Sequence, residues 1–228
     1  MRLSVIVPNL DAPAVDRTVR AILAQEGARA AEIVVAGRDA PARLAAFAGD
    51  AMVRHLDLSP RPPGAARNAG AAATAGDVLV FVDADCEPEP GWLAAHAARH
   101  AAGETVVGGA VLWDADNYWT LADNVSMFHP VVAHHPAGPR PFLPSLNLSV
   151  ARHAWDAAGG MDPLLRSGED VDLTARLGAM GHRPFFAPEA RVWHRPPRAD
   201  VRAILAHWYR SGRWMIHVRR DHPEWFGA

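Results

Sequence analysis

The stretch VLVFVDADCE, residues 78–87, decides the fold: five apolar residues run directly into three acids. Turn residues bound the apolar run, with AGD at residues 75–77 before it and prolines at positions 88 and 90 after it. A short continuous apolar run of this kind predicts a strand buried on both faces, as in a parallel sheet. The acids therefore fall beyond the carboxyl end of a strand, where open α/β sheets collect their ligands.

Asp83 and Asp85 are the candidate ligands at this strand end. If the backbone stays extended past Asp83, residues two apart project to the same side, and both carboxylates point into one volume. Two carboxylates this close share a proton or hold a cation, and substrate phosphates usually complete the shell of a bound Mg²⁺ or Mn²⁺. The pair predicts a metal-assisted site for a nucleotide diphosphate, with a solvated loop or a helix cap as the structural alternative.

Composition narrows the class of function. The 228 residues, half of them apolar, suffice for one domain with a substantial core. The formal charge of −2 argues against a general nucleic-acid binder, and the absence of lysine excludes a Schiff base and a P-loop lysine. The single cysteine, Cys86, excludes an internal disulfide and a thiolate metal cluster. No apolar run approaches the roughly twenty residues of a membrane span, and no signal-peptide pattern opens the chain, so we expect a cytoplasmic protein.

Strand and helix signals alternate through the first half of the chain. Apolar runs predict strands, and apolar residues at helical spacing predict helices. The strands fall at residues 3–7, 32–36, 52–56 and 78–82, and the helices fall at 13–25, 41–47 and 64–76. This alternation predicts βαβ units, and so an α/β domain with a Rossmann-like, mostly parallel central sheet flanked by helices.

The second half of the chain is less regular. Helices are predicted at residues 91–100, 116–128, 152–158, 168–180 and 200–218, and strands at 105–112, 146–150, 185–187 and 191–194. Residues 129–144 hold five prolines and three histidines, which predicts a long irregular loop of the kind that binds ligands. No repeat, linker or low-complexity tract divides the chain, so we expect residues 1–228 to form a single domain.

Seven short motifs follow one another in an order known from one enzyme family. They are SVIVP at residues 4–8, GAARNAG at 64–70, DAD at 83–85, NLS at 147–149, GMD at 160–162, GEDVDL at 168–173 and WH at 193–194. Each motif alone is weak, but seven in this order over one domain are specific. From residue 3 to about residue 198, the chain resembles the family 2 inverting glycosyltransferases of the GT-A fold.

The resemblance implies a metal-dependent glycosyltransferase that takes its sugar from a nucleotide-diphosphate donor. Residues 1–112 would form the nucleotide-sugar-binding half, and residues 113–228 the acceptor and catalytic half with the C-terminal helix. Pro8 would line the pocket for base and ribose, Arg67 would face phosphate or base, and Asp83 would contact ribose or base. A guanidinium suits a phosphate, whereas the structural alternative for Arg67 is an ordinary surface residue.

The same resemblance implies a metal site. Asp85 would bind Mn²⁺ or Mg²⁺ where the ion bridges the diphosphate, and His194 would complete the protein ligands. Imidazole is a suitable ligand for Mn²⁺, although a lone histidine after a strand is more often structural. Asn147 and Glu169 fall in two further motifs, and the resemblance assigns them to the nucleotide-sugar site.

Asp170 is the candidate general base. An inverting transfer is a single displacement at the anomeric carbon, so the acceptor hydroxyl must lose its proton on the face opposite the leaving nucleotide. One carboxylate at that position is sufficient. The structural alternative is that acids in the first turn of the helix opened by GEDVDL serve only the helix dipole.

One departure from the family pattern concerns recognition of the base. The resemblance implies one or two aspartates at the end of the second strand, where this chain has Ala36. Ala36 cannot accept a hydrogen bond from a base, so Asp39, in the turn that follows, is the predicted substitute. Asn9 and Asp11 are further substitutes, because they follow the first strand on the same sheet edge. The donor stays open between UDP, GDP and dTDP sugars.

Acceptor choice is expected in the loop at residues 129–144 and in the last helix. The acceptor class stays open between a glycan, a lipid-linked molecule and a small molecule. The helix at 200–218 mixes aromatic and aliphatic residues with arginines, a pattern that allows peripheral contact with the anionic inner face of a membrane. The favoured alternative is that this helix packs on the catalytic domain, because so short a chain has little else to cover the sheet.

Two other functions compete. A sugar-phosphate nucleotidyltransferase shares the strand-then-acid layout but needs a glycine-rich loop with a basic residue after its first strand, and NLDAP at residues 9–13 has neither. The other is a catalytically impaired domain that binds a nucleotide or glycan without turnover. Ala36 supports that interpretation. The joint presence of Asp85, Asp170 and His194 opposes it.

Overall fold

The computed structural model describes residues 1–114 and 116–225. Within these ranges one sheet contains nine strands, which are β1 Leu3–Leu10, β2 Glu32–Arg38, β3 Val53–Leu56, β4 Val78–Val82, β5 Cys86–Pro88, β6 Val106–Leu112, β7 Gly138–Pro139, β8 Asn147–Ala151 and β9 Phe185–His194. The same ranges contain seven α-helices, which are α1 Val15–Leu23, α2 Pro63–Ala72, α3 Trp92–Ala101, α4 Tyr118–Phe128, α5 Arg152–Ala158, α6 Glu169–Ala179 and α7 Val201–Asp221. Short 3-10 helices lie at Arg43–Phe47, His129–Val131 and Pro223–Trp225.

The sheet has the strand order β3-β2-β1-β4-β8-β6-β9-β5, and β7 also pairs with β9. Strands β1 to β4 are parallel to their neighbours in that block, and β6 is parallel to β9. The predicted α/β class with a largely parallel sheet is thereby confirmed. Strand β8 runs antiparallel to both β4 and β6.

Several predicted boundaries differ from the structure. The second strand continues from residue 36 to Arg38, the helix predicted at 64–76 ends at Ala72, and the helix predicted at 41–47 is the 3-10 helix Arg43–Phe47. β1 continues through Pro8 to Leu10, whereas the sequence pattern predicts an end at residue 7. The pairing of β1 with β4 ends at Ile6, so Pro8 has no partner on β4. A proline, which has no N–H to donate, is tolerated there because no hydrogen bond to β4 is lost. β9 is one strand from Phe185 to His194 and not two, with a register shift opposite Gly109 of β6.

Strand β4, which carries the apolar run at residues 78–82, lies in the core. All five residues of β4 are buried, as predicted, and Leu79 and Phe81 are fully so. α2 packs against β1 and β2, and α3 packs against β6 and β9. Because β4 ends at Val82, Asp83 is the first residue to emerge at the carboxyl edge of the sheet, beside the end of β1.

The last helix, α7, lies on the surface of the domain. It spans 21 residues, of which Val218 alone is buried. It packs against α4, where the indole of Trp208 donates a hydrogen bond to Asp123 at 2.9 Å. This is the predicted packing of the final helix on the domain. No helix within the described part of the chain is long and apolar enough to cross a membrane. Peripheral membrane contact stays a prediction.

Candidate functional site

The acids that follow β4 lie in a turn. β4 ends at Val82, and the N–H of Cys86 donates a hydrogen bond to the carbonyl of Asp83 at 3.0 Å. The prediction that an extended backbone aims both acids in one direction is therefore wrong. The turn itself brings Asp83 and Asp85 to the wall of one cavity of 250 Å³, which we name the carboxylate pocket. The end of β1, from Pro8 onward, forms the facing wall.

Arg67 is buried beside this pocket. Its side chain is 3% exposed, so the surface alternative for this residue does not hold. One guanidinium nitrogen donates to Oδ1 of Asp83 at 2.5 Å, and the other donates to Oε1 of Glu169 at 2.8 Å. The Nε–H is buried and finds no hydrogen-bond partner among residues 1–114 and 116–225. Arg67 therefore connects the carboxylate pocket with the first turn of α6.

Three acids, Asp83, Glu169 and Asp170, act on the guanidinium of Arg67. Burial opposes the charge of Arg67, yet the neighbouring acids outweigh burial and raise the pKa of the guanidinium. Burial, together with the charge of Asp170, raises the pKa of Glu169 to about 7, although Arg67 acts in the opposite direction. The ion pair with Arg67 is thus what allows an acid to stand this deep in the cleft.

Asp85 and His194 form a second contact at the same edge of the sheet. Nε2 of His194 lies 3.7 Å from Oδ2 of Asp85. Nδ1 donates to Oδ1 of Asn124 at 2.5 Å, which orients the ring and leaves the Nε2 lone pair facing Asp85. Burial lowers the pKa of His194 and raises the pKa of Asp85. A neutral imidazole is the form that binds metals.

This pair fits a divalent ion whose shell a substrate completes. No group of three or more His, Cys, Asp or Glu side chains that could hold an ion unaided exists within the described residues. Mg²⁺ is usually bound by one or two carboxylates together with substrate phosphates and water, and Mn²⁺ also accepts imidazole. One carboxylate and one imidazole are therefore a sufficient protein donor set when a diphosphate is present.

Asp170 lines a second and larger cavity. The cavity measures 680 Å³, and we name it the Asp170 cavity. Oδ2 of Asp170 accepts a hydrogen bond from the N–H of Ser145 at 3.0 Å, and Oδ1 accepts one from the N–H of Val171 at 2.9 Å. Much of the wall is aromatic or aliphatic, with contributions from Phe128 and Phe142. The carboxylate is thus held in one orientation at the edge of a mostly apolar space.

Phe128 links the two cavities. Its ring meets the ring of His194 edge to face with centroids 5.0 Å apart, and it also lines the Asp170 cavity. Arg67 makes the second link, through Asp83 on one side and Glu169 on the other. The two cavities have no lining residue in common, but a third cavity, described below, shares lining residues with both, so the acids lie along one cleft.

Gly168 sets the spacing between α6 and α7. It is the N-cap of α6 with φ +82°, a left-handed conformation that glycine adopts without strain. A Cβ at this position would lie 2.7 Å from the sulfur of Met215 and 3.1 Å from a methyl of Val218, both on α7. The helix that carries Asp170 and the helix above it are therefore in close contact.

Asn147 and Asp39, two of the predicted donor-site residues, do not line the carboxylate pocket. Asn147 is fully buried, and its side chain bonds to the indole of Trp92 and to the carbonyls of Ala110 and Ala190. Its amide is committed to holding β8 in the core. Oδ2 of Asp39 accepts from the N–H of Leu44, and Asp39 does not line the carboxylate pocket.

The side chain of Asn9 lines the carboxylate pocket, but its hydrogen bonds go to backbone groups. It lines the carboxylate pocket, while its amide donates to the carbonyl of Arg38 at 2.8 Å and its Oδ1 accepts from the N–H of Ala12 at 3.1 Å. Both polar groups of the side chain are thus used to shape the loop after β1. Its predicted role in base recognition remains a prediction, as does that of Asp39.

Sequence reasoning missed several residues of the site. Asn124, which orients His194, stands in the middle of α4 without any local signal. Ser145, which holds Asp170, ends an irregular loop. A third cavity of 640 Å³, beside α7, has basic side chains in half of its lining, and we name it the basic groove. Its basic residues are Arg61, Arg166, His207, Arg210, Arg213 and His217.

Known glycosyltransferases are similar to this chain in sequence. Glycosyltransferase AglE of Haloferax volcanii is 29% identical over 155 residues, which cover 68% of this chain and 50% of that protein. The pre-mycofactocin glycosyltransferase of Mycobacterium tuberculosis is 33% identical over 157 residues, covering 64% of this chain and 32% of that protein. The chain thus spans half or less of the length of these curated relatives.

Solved structures share the fold. The mannosyltransferase PcManGT from Pyrobaculum calidifontis, solved with GDP-Man and Mn²⁺, has a TM-score of 0.70 at 18% identity and covers 94% of this chain and 62% of that one. GalNAc-T7, solved with UDP, GalNAc and Mn²⁺, has a TM-score of 0.67 at 18% identity and covers 85% of this chain and 43% of that one. These are glycosyltransferases of the GT-A type, and the present chain has their fold.

The family model described as glycosyl transferase family 2 matches residues 4–167, which is more than half of the chain. That match spans Arg67 and both acids of the carboxylate pocket. On this evidence, the chain belongs to glycosyl transferase family 2.

Proposed function

We propose that this protein is an inverting glycosyltransferase that moves a sugar from a nucleotide-diphosphate donor to an acceptor hydroxyl. The carboxylate pocket, between Pro8 and Asp83, would take the nucleoside. Its 250 Å³ lies below the range of about 300–1,000 Å³ that is usual for ligand sites. The donor therefore has to extend out of the pocket, and the neighbouring Asp170 cavity is where its sugar would go.

The observation that carries the proposal is the double ion pair of Arg67. It joins Asp83, at the donor end of the cleft, to Glu169, the neighbour of the candidate base. A transferase needs its donor site and its base on opposite sides of one reacting carbon. Arg67 provides a rigid connection between those two sides.

Asp170 would remove the proton from the acceptor hydroxyl. As the acceptor oxygen bonds to the anomeric carbon, the bond from that carbon to the diphosphate oxygen breaks, and the electron pair leaves with the nucleotide diphosphate. The hydrogen bonds from Ser145 and Val171 hold the carboxylate in place for this step. Inversion follows, because the attack and the departure occur on opposite faces.

Asp85 and His194 would hold Mn²⁺ or Mg²⁺ at the diphosphate. When bound, such an ion neutralises the charge that develops on the leaving group. The neutral imidazole of His194, oriented by Asn124, and the carboxylate of Asp85 are in position for this role. The Mn²⁺ in the structures of PcManGT and GalNAc-T7 supports it.

The donor base and sugar stay open. PcManGT was solved with GDP-Man, GalNAc-T7 with UDP, and the N-terminal part of S. aureus TarS with UDP-GlcNAc. A nucleotide-sugar donor is therefore expected here, and UDP, GDP and dTDP sugars all remain to be tested. Ala36, two residues before the end of β2, offers no side-chain hydrogen bond to a base.

The test compares Asp170→Asn with Asp85→Asn. Asp170→Asn should lower sugar transfer by a factor of about 10² to 10⁴, the usual contribution of a general base, while nucleotide binding changes by less than about twofold. Asp85→Asn should weaken both transfer and Mn²⁺-dependent nucleotide binding. Transfer is measured by donor turnover with a panel of acceptors, and binding by calorimetric titration of UDP and GDP with and without Mn²⁺.

Asp156→Asn is the matched control, because Asp156 is exposed on α5, away from the cleft. Nucleotide binding without turnover of any donor in the wild type would support the catalytically impaired domain instead. Pyrophosphate release from a nucleoside triphosphate would support the nucleotidyltransferase.

A further inference from the structure

The basic groove lies between the two cavities already described. It shares Leu10, Arg61 and Pro63 with the carboxylate pocket. It shares Ser167 and other residues with the Asp170 cavity. A molecule whose hydroxyl stands at Asp170 can therefore extend into the groove without leaving the cleft.

The positive charge of this groove is not balanced by the protein. Arg166 and Arg210 form no hydrogen bond or ion pair within residues 1–114 and 116–225, and Arg213 contacts only the ring of Tyr209 there. Arg61 bonds to the carbonyl and hydroxyl of Ser59. None of the described residues that line the groove is an acid. Four guanidinium groups in one groove repel one another, so an anion bound among them would relieve a standing repulsion.

The adjoining Asp170 cavity has the opposite character. Phe142, Trp208, Met215 and Ile216 contribute to a wall that is mostly aromatic or aliphatic. The hydroxyls of three serines and the carboxylate of Asp170 are among its few polar groups. Apolar and aromatic walls with a few placed polar groups are typical of sites that bind a largely apolar molecule or the face of a ring.

We propose that the basic groove binds a phosphate group of the acceptor, so that the acceptor is a phosphorylated molecule with an apolar body next to its reacting hydroxyl. This inference rests on the proposed transferase function. A phosphomonoester carries a charge of about −1.5 to −2 and three acceptor oxygens, which suits several guanidinium groups better than a single carboxylate does. The diphosphate of the donor belongs at Asp85 and His194, which do not line the groove.

The test uses the intact chain and a matched pair of probes. Hexyl phosphate carries an apolar chain and a phosphate, and hexyl glucoside carries the same chain without charge. Both are titrated calorimetrically into the wild type, into the double variant Arg166→Gln with Arg210→Gln, and into Arg202→Gln. Arg202 is an exposed arginine of α7 outside the groove, so its variant controls for loss of charge from the same helix.

The wild type should bind hexyl phosphate at least about tenfold more tightly than hexyl glucoside, since a charge-assisted hydrogen bond is worth about a factor of ten or more. The double variant should lose at least that factor for hexyl phosphate alone. Arg202→Gln should bind both probes like the wild type. Thermal unfolding of each variant checks that the fold is intact, which we expect because all three arginines are exposed.

A titration of UDP and GDP with Mn²⁺ into the same variants separates acceptor from donor. Unchanged nucleotide affinity in the double variant supports the proposal. If the double variant loses nucleotide affinity and keeps its affinity for hexyl phosphate, the groove serves the donor diphosphate and the proposal is overturned. Equal binding of hexyl phosphate by wild type and double variant overturns it as well. Failure of the transferase function would appear separately, as a wild type that turns over no UDP, GDP or dTDP sugar.

Discussion

Arg67 and Arg210 stand at the same cleft and carry the same charge in opposite surroundings. Arg67 is buried and donates to two carboxylates, one from the turn after β4 and one from α6. Arg210 is exposed on α7, and no hydrogen bond or ion pair holds it within the described part of the chain. Charge that the protein balances itself organises the walls of the cleft. Charge that it leaves unbalanced is available to a ligand.

The largest effect is expected from Arg67→Met. Removing the guanidinium leaves Asp83 and Glu169 facing each other in the cleft without a counter-charge, and breaking one side of a buried pair costs about 3–5 kcal/mol. The free energy of unfolding in urea at pH 7 should fall by that amount. The measurement needs a two-state transition, checked by coincident fluorescence and circular dichroism curves.

Arg210→Met is the matched control for this change of charge and volume. A loss below about 1 kcal/mol for Arg67→Met would contradict the view that Arg67 is part of the fold, because surface substitutions change stability by about that much or less.

A smaller effect is expected in the dependence of stability on pH. The pKa of Glu169 rises from its ordinary value of 4.5 to about 7 in the folded protein, so the folded state holds this proton more tightly than the unfolded state does. The contribution of Glu169 to stability therefore falls as pH rises from about 4.5 to about 7 and is constant above that, with a total of about 3 kcal/mol or less. Glu169→Gln should remove this slope.

Urea unfolding at pH 5, 6, 7 and 8 checks the prediction, with the wild type and Glu169→Gln measured side by side. The difference between the two curves isolates Glu169 from other titrating groups. Parallel curves over this range would mean that burial does not perturb the carboxyl of Glu169.

The smallest effect is expected from Arg210→Gln. Since Arg210 makes no described hydrogen bond or ion pair and lies near other arginines, its removal should change the free energy of unfolding by no more than about 0.5 kcal/mol, as at most surface sites. The same urea titration at low ionic strength is the measurement. A loss above about 1 kcal/mol would place Arg210 among the residues that hold the fold, and the contrast with Arg67 would disappear.

The order of strands and helices was accessible from local pattern. An apolar run such as β4 is buried wherever the fold places it, so its ends and the acids beyond it are visible in the sequence. The path of the backbone after Val82 could not be predicted from the sequence. The same acids are compatible with an extended strand and with the observed turn, which the N–H of Cys86 closes. The direction of β8 depended on a loop with no repeating pattern.

Residue roles were less accessible than residue positions. Arg67 meets Glu169 across 102 residues, and only the folded chain shows that it touches two acids. The family resemblance assigns Asn147 to the donor site. In the structure, however, its side chain forms hydrogen bonds with Trp92 and with carbonyls of β6 and β9. Whether a polar residue on a strand faces a cleft or the core depends on neighbours that are remote in sequence, and local pattern carries no such information.

The glycine at position 168 limits how the Asp170 cavity, the proposed acceptor site, can change. With Met215 only 2.7 Å from where a Cβ would stand, neither a larger residue there nor an inward shift of α7 is available. Laboratory evolution toward bulkier or smaller acceptors should therefore accumulate substitutions elsewhere in the lining of the Asp170 cavity, at side chains such as Phe142, which is 38% exposed. Position 168, which lines the Asp170 cavity, should stay unchanged throughout such a selection.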